Sequence, residues 1–336
     1  MNSQLRIAVI YSLPTKLARS RRFIATDEDT RLSAQEICQA LESYGCLVAI
    51  HPIDEANIDQ INHISGDCIF NVIEWDGHDL PLAVKALSIL ERHGIPFTGA
   101  ETKNLLLGND KVLLKNSLRE HQLLTPNWQV FTNGSEKVDP SLKFPVIVKP
   151  SIEHCSIGLD RNAVVDNVDK LIAVVGSKLT EFKQPIIAEE FIIGREFQIT
   201  VYEKNGSPEV LPPAEIIFTS KSTSEFLTFA SRWDEKHPDY NLSTVKLAQL
   251  SPALDNKLIE LSKKTFIRLG FRDYSRLDIR LRNSTSYILE ANANPGLGDD
   301  EDYGMTVSYK AAGFTFADFV FAIVKSALRR NNVSLT

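Results

Sequence analysis

The chain has 336 residues, 43% hydrophobic and 24% charged, with a net charge of −6. These proportions fit two or three compact units, each large enough to bury a core without disulfide staples. No Lys/Arg-dense stripe with interleaved aromatics occurs, which speaks against a nucleic-acid partner, and no apolar run reaches the roughly 18 residues of a membrane span.

The first element is "RIAVIY" (6–11), a short apolar, β-branched run of the kind buried in parallel sheets. A basic run, "ARSRRF" (18–23), follows in a long loop, and "ATDEDT" (25–30) leads into a predicted helix over 31–45 closed by Gly45. "CLVAIHP" (46–52) and "CIFNVIE" (68–74) read as strands, 80–94 as a helix ending at Gly94, and "IPFTG" (95–99) as a short strand and turn. This alternation predicts an open parallel sheet with helices on its faces.

Near residue 105 the character changes. The pattern predicts one helix over 104–122, extended chain in "LLTPNWQVF", a strand in "KFPVIVKPS" (143–151) and a helix in "DNVDKLIAVVGSKL". "QPIIAEEFIIGREFQITVYEKNG" (184–206) gives strand, loop and strand. Strands then dominate until helices over 253–270 and 315–330. The expected organisation is an α/β unit over 1–103, a small α+β unit over 104–194 and a larger α+β unit over 195–336.

Cys38, Cys46, Cys68 and Cys155 form no CxxC pair, which points to a reducing compartment. The N-terminus lacks the apolar core of a signal peptide, so a cytoplasmic location is expected.

The chemistry concentrates in "SRLDIRLRNSTSYILEANANPGLG" (275–298). Residues two apart on a strand share a face, so Arg276 pairs with Asp278 and Glu290 with Asn292. "RNSTS" suits a hairpin connection. In matching register, two carboxylates and an amide oxygen converge, a donor set for Mg²⁺ completed by phosphate oxygens. In any other register they are unrelated polar residues on a half-exposed sheet. Pro295-Gly296 can aim a backbone N–H at a reacting centre. Lys149 ends an apolar strand and Lys111 starts a helix, where anions are favoured. "SIEHCSIG" (151–158) is a plausible phosphate flap, although a lone Lys or a small polar loop is usually just surface. No Gly-Lys-Ser phosphate loop is present.

Taken in order, "GIPFTGA", "NDKVLLK", "FPVIVKPS", "EEFIIGREF", "SRLDIRLR" and "ILEANANPGL" resemble the D-alanine–D-alanine ligase family of the ATP-grasp superfamily, over about residues 66–330. The resemblance implies an ATP-grasp fold: an N-terminal open parallel sheet and two α+β subdomains that sandwich ATP. It implies an ATP-dependent carboxylate–amine ligase working through an acyl phosphate on small-molecule amino acids. Lys111 and Lys149 would meet the phosphates. Glu189, Glu190, Phe191 and Ile192 would form the adenine linker, and Glu196 would take the ribose hydroxyls. Asp278, Glu290 and Asn292 would hold one or two Mg²⁺ (or Mn²⁺) ions. Arg276 and Gly296 would stabilise the oxyanion, and Glu153, Cys155 and Ser156 would lie in the flap. Relatives of this kind are often homodimers.

The sequence also departs from that family. Its Gly-rich N-terminal loop is replaced by "YSLPTKLARSRRFIATDEDT", with Glu28 or Asp29 in place of the substrate-binding Glu. "FNVIEWDGHD" (70–79) replaces its His-Gly segment and brings Glu74 to that place. The predicted lid, 226–240, carries Arg232-Trp233 where a Lys-Tyr pair is usual, and Cys155 stands for a serine. Arg19, Arg21 and Arg22 could face a substrate richer in carboxylates. Alternatives are an amino-acid ligase of the mycosporine type, acting through a phosphorylated enol, or a silent nucleotide-binding regulator.

Overall fold

A computed structural model of the chain describes residues 4–19, 25–219 and 225–333, with only the backbone described for 25–29. Arg21 and Arg22, and the side chains of Glu28 and Asp29, lie outside the described residues.

The N-terminal part contains β1 (Arg6–Ser12), α1 (Lys16–Arg19), α2 (Ala25–Ser43), β2 (Leu47–Ile53), β3 (Cys68–Val72) and α3 (Leu80–His93). The three strands form a parallel sheet in the order β2-β1-β3. All of β3 and all but one residue of β1 are buried, which is why both are near-continuous apolar runs. The segment 25–30, expected as a loop, is helical from Ala25. Gly94 closes α3 in the left-handed region at φ +83°. In place of a strand over 95–99, Phe97 makes a single parallel bridge to Ile69.

The central part contains α4 (Thr102–Asn109), α5 (Lys111–Glu120), β4 (Trp128–Phe131), β5 (Val146–Pro150), β6 (Val164–Val165), α6 (Val168–Phe182) and β7 (Ile186–Glu190). Its antiparallel sheet runs β4-β7-β5-β6. The single helix expected over 104–122 is two. Asp110 is extended (φ −106°, ψ 107°), and its carboxylate accepts the N–H groups of Val112 and Leu113 at 2.8 and 3.1 Å. That cap starts a new helix and leaves Lys111, in its first turn, buried.

The C-terminal part contains β8 (Arg195–Lys204), β9 (Ser207–Val210), β10 (Ala214–Phe218), α7 (Phe229–Trp233), β11 (Ser243–Leu247), α8 (Pro252–Leu269), β12 (Tyr274–Arg282), β13 (Thr285–Asn292), α9 (Gly304–Ala311) and α10 (Phe316–Arg330). The sheet order is β11-β10-β8-β12-β13, with β9 also on β8.

One core cluster joins Ile10 and Ile69 of the first sheet to α3, α8 and residues Ile199, Leu277 and Ile279 of the third sheet. A second packs α2 and α10 against the other face of β1 and β3 through Ile37, Leu41, Phe319 and Ile323. A third seats α6 on the central sheet. Asp273 is fully buried and pins the first part to the last: it accepts the Gly99 N–H at 2.8 Å and the Arg330 guanidinium, which also donates to Phe97 O at 2.9 Å. No single helix among the described residues is long and apolar enough to cross a membrane; α9 and α10 pass that test only together, bent by 92°.

Candidate active site

The hairpin has the converging register. Asp278 stands opposite Glu290, and Arg276 opposite Asn292. The register shifts between Asp278 and Ile279, so Leu289 is an extra residue on β13. Leu289 and Glu290 consequently both line a cleft, while Ile288 and Ala291 are buried core. The cleft runs between the central and C-terminal sheets. It gathers Glu74, Lys111, Lys149, Glu153, Cys155, Ser156, Glu189 to Ile192, Glu196, Arg232, Arg276, Asp278, Glu290, Asn292 and Gly296, whereas Arg19 does not line it.

Its centre is a charge network between the sheets. Lys149 Nζ lies 2.7 Å from Glu189 and 3.5 Å from Glu290, while Lys111 Nζ lies 3.8 Å from Glu290 and donates to the Glu153 carbonyl. Burial works against the Lys149 ammonium, but Glu189 and Glu290 outweigh it and raise its pKa to about 12. Burial also opposes the Glu290 carboxylate; Lys111 and Lys149 outweigh it and keep Glu290 ionised far below the usual range. For Lys111, burial prevails and lowers the pKa. Glu189, expected in the adenine linker, lies within β7, next to its last residue, with its carboxylate turned onto Lys115 and Lys149, at 2.5 and 2.7 Å.

Arg276 grips Asp278 through two bonds, at 2.8 and 3.0 Å. Burial nevertheless raises the Asp278 pKa, with Glu290 adding to the rise. A cation between the two carboxylates would relieve that repulsion. Asn292 lies 3.4 Å from Asp278. Among the described residues no three His, Cys, Asp or Glu side chains cluster as a metal site. The donor set is thus two carboxylates completed by an amide, all hard oxygens, and it fits Mg²⁺ or Mn²⁺ that takes its remaining ligands from phosphates and water.

The 151–158 loop forms one wall. Cys155 and Ser156 adopt left-handed backbone, φ +52° and +61°, a strained conformation that clusters at ligand sites. Trp233 Nε1 donates to Cys155 O at 3.1 Å, so α7 of the predicted lid is already seated on the loop, with Arg232 facing the cleft. Burial, with Glu74 nearby, pushes the Cys155 thiol pKa far up, which leaves no thiolate nucleophile. The Glu153 carboxylate is turned to Gln184 Nε2 at 2.8 Å and packs on Gly77. His154 Nε2 lies 3.4 Å from Asn109 O; burial, then Lys111, lowers its pKa to about 4. Glu74 is close to the turn, since a Cβ on Gly296 would sit 4.0 Å from its Oε2. Arg19 donates to Pro14 O at 3.1 Å.

At the other end, Glu190 Oε1 accepts from Asn127 and from the Lys143 N–H, both at 3.3 Å. Sequence reasoning passed over two buried cations. Lys115 holds Glu189 and donates to Thr125 at 2.9 Å. Arg280 binds Glu196 and the Ile192 carbonyl. Arg280 carried a usable signal, because it continues the alternation of Arg276 and Asp278 onto the same face; Lys115 carried none beyond its place in "NDKVLLK".

Comparison with known proteins agrees with this geometry. The family model described as the D-ala D-ala ligase C-terminus matches residues 118–325. An uncharacterized protein, y4sG, of Sinorhizobium fredii is 32% identical over 249 residues, covering 72% of this chain and 69% of its own. A D-alanine–D-alanine ligase of Fervidobacterium nodosum is 24% identical over 314 residues, 89% and 94% of the two chains. The solved D-alanine–D-alanine ligase of Bacillus anthracis, complexed with ATP, superposes with a TM-score of 0.75 at 20% identity, covering 98% and 99%. The Coxiella burnetii enzyme superposes at 0.72 and 15% identity, covering 98% and 95%. The chain belongs to the D-alanine–D-alanine ligase family and is an ATP-dependent ligase with the ATP-grasp fold.

Proposed function

We propose that the protein joins a carboxylate to an amine through an acyl phosphate, with an amino acid on at least one side of the new bond. One observation carries this: the register that sets Asp278 against Glu290, with Glu290 within 3.8 Å of Lys111 at the start of α5 and 3.5 Å of Lys149 on the facing sheet. In this proposal 1–103 is the substrate-side unit, and 104–194 and 195–336 are the two halves that enclose ATP. Small amino acids are its substrates, and D-alanine, named in the relatives, is the first to test.

Asp278, Glu290 and Asn292 would hold one or two Mg²⁺ or Mn²⁺ ions, whose charge offsets that of the triphosphate. Lys111 and Lys149 bind the phosphates, exchanging Glu290 for phosphate oxygens as the nucleotide enters. Ser156 and the backbone of its loop cover the γ-phosphate. The linker Glu190–Ile192 takes adenine, partly through its backbone, and Glu196 takes the ribose hydroxyls. A substrate carboxylate oxygen attacks the γ-phosphorus; the bond to ADP breaks and an acyl phosphate forms. The amine nitrogen of the second substrate then attacks the acyl carbon. Arg276 and the Gly296 N–H meet the developing oxyanion, and the carbon–oxygen bond to phosphate breaks as the amide forms and the nitrogen loses its proton. Arg232 and Trp233 close the cleft against water, which would otherwise hydrolyse the acyl phosphate. Glu74, beside Gly296, orients the substrate.

The test is ADP release with Mg²⁺, using D-alanine alone and then pairs of amino acids, with product masses determined. Amino-acid-dependent ADP release with a product lighter than its two parts by one water is expected. ATP binding with no amino acid or amine/carboxylate pair driving turnover would sink the proposal.

A further inference from the structure

Arg280 sits at the nucleotide end of the cleft with almost no solvent exposure (3%), and no step of the proposed chemistry uses it. It is the direct cross-strand partner of Glu196. Its Nε donates to Glu196 Oε2 at 2.8 Å, and a terminal nitrogen approaches the same oxygen at 2.6 Å. Both contacts fall on Oε2. The guanidinium also donates to Ile192 O at 3.0 Å and to Glu225 O at 2.6 Å, and it lies 4.5 Å from the centroid of the Phe191 ring. One planar cation thus ties together the linker after β7, the cleft carboxylate and the segment ahead of α7. Arginine suits this because its N–H donors have fixed directions, which a lysine ammonium lacks.

We infer that Arg280 is a positioning residue for nucleotide recognition: by fixing Glu196 through Oε2 alone, it presents Oε1 to the ribose hydroxyls and sets discrimination between ribo- and deoxynucleotides. A carboxylate free to rotate can accept from water in either orientation, so it rewards a hydroxyl weakly. Fixed in one orientation, its second oxygen is left unpaired when the hydroxyl is missing. The inference rests on the nucleotide reading of the cleft and adds to it a specific cause of sugar selectivity.

The experiment measures dissociation and KM for ATP, 2′-deoxy-ATP and 3′-deoxy-ATP with the full-length chain and with Arg280→Met, Arg280→Lys and Glu196→Gln. The wild type should prefer ATP over at least one deoxynucleotide by about tenfold or more, the scale of one charge-assisted hydrogen bond. Arg280→Met should raise KM for ATP by a similar factor, change kcat little, and bring the ribo/deoxy ratio towards one. Arg280→Lys should fall between. Glu196→Gln should lose the same discrimination, and adding Arg280→Met to it should cost little more. If Arg280→Met does not fold, Arg280→Lys and Glu196→Gln decide the matter. Wild-type discrimination that survives in the Arg280 variants, or a wild type that binds ATP without discriminating, overturns the inference alone. A wild type that binds no adenine nucleotide removes the nucleotide reading itself.

Discussion

Lys149 and Glu290 come from different sheets and meet across the cleft at 3.5 Å. The cation suited to phosphate and the carboxylate suited to metal therefore satisfy each other before any ligand arrives. The resting cleft avoids bare buried charge, and ligand entry becomes an exchange of partners rather than a creation of new ones. The Glu290→Gln variant should keep its fold, because the amide still accepts from Lys149. Turnover should fall by about 10²-fold or more, beyond what loss of an outer-shell partner costs a metal site. Steady-state ADP release beside a far-ultraviolet dichroism spectrum separates the two; wild-type turnover in this variant would exclude Glu290 from the metal site.

The proposed chemistry gives Arg276 two duties, holding Asp278 and meeting the oxyanion, that a substitution separates. Arg276→Lys keeps the charge next to Asp278 but loses the two-pronged grip. The expected result is a kcat lower by about 10²–10³, the cost of one oxyanion donor, with KM for ATP little changed. Arg276→Ala additionally strands a buried carboxylate and should lower stability by about 3–5 kcal/mol. A large rise in KM for ATP with unchanged kcat would place Arg276 at the nucleotide instead.

His154 ties stability to pH. Burial, then Lys111, depresses its folded pKa to about 4 from the ordinary imidazole value of 6.5. The unfolded chain therefore takes up a proton near pH 6.5 that the folded chain refuses until about pH 4. The stability associated with neutral His154 is complete above pH 6.5 and is lost as pH falls through that window. Thermal melts of wild type and His154→Gln should diverge least near pH 4 and most above pH 6.5, with the variant showing the flatter profile. Parallel profiles would mean that His154 is not held neutral.

Gly194 joins the linker to β8. A Cβ there would lie 1.9 Å from the Leu281 carbonyl oxygen, a backbone atom that cannot swing aside. Gly194→Ala should cost about 1–3 kcal/mol, the usual range for overpacking, and should also raise KM for ATP because Ile192 shifts with it. A melting temperature within error of wild type would mean that the two strands separate more easily than their register implies.

Asp273→Asn leaves Arg330 without a buried carboxylate and weakens the anchor on Gly99. A loss of about 3–5 kcal/mol is expected, on the scale of a broken buried ion pair. Chemical denaturation followed by tryptophan fluorescence gives the value; Trp75, in the first part of the chain, is fully buried and reports on that joint.

The sequence was legible wherever burial alone decides structure. β1 and β3 are apolar because both faces are covered, and α3 shows its stripe and its glycine stop. It was misleading where a polar residue does local work. Asp110 looks like one more position of a long helix, yet its carboxylate ends one helix and begins the next. "ATDEDT" is polar enough for a loop but forms the first described turns of α2. The cleft residues were legible as a set, because strand alternation and a hairpin connection place Asp278, Glu290 and Asn292 together. Their partners were not. Glu189 appeared to belong with adenine because it adjoins the linker, whereas its contacts come from Lys115 and Lys149, 74 and 40 positions away in the chain. Pairing across elements is a property of the packed sheet, and local spacing carries little trace of it.

The extra residue at Leu289 has a consequence for how this hairpin tolerates change. It resets the in–out parity of β13, so that Ile288 enters the core while Glu290, only two places on, points the opposite way. Substituting Leu289 should be mild, since it is only partly buried. Deleting it should restore plain alternation, with Ile288 inward and Glu290 still on the cleft face, whereas a strand that kept Leu289 without the bulge would carry Glu290 inward with Ile288. The facing of Glu290 is thus set by the local two-for-one pairing at Leu289 as much as by the residues on either side of it.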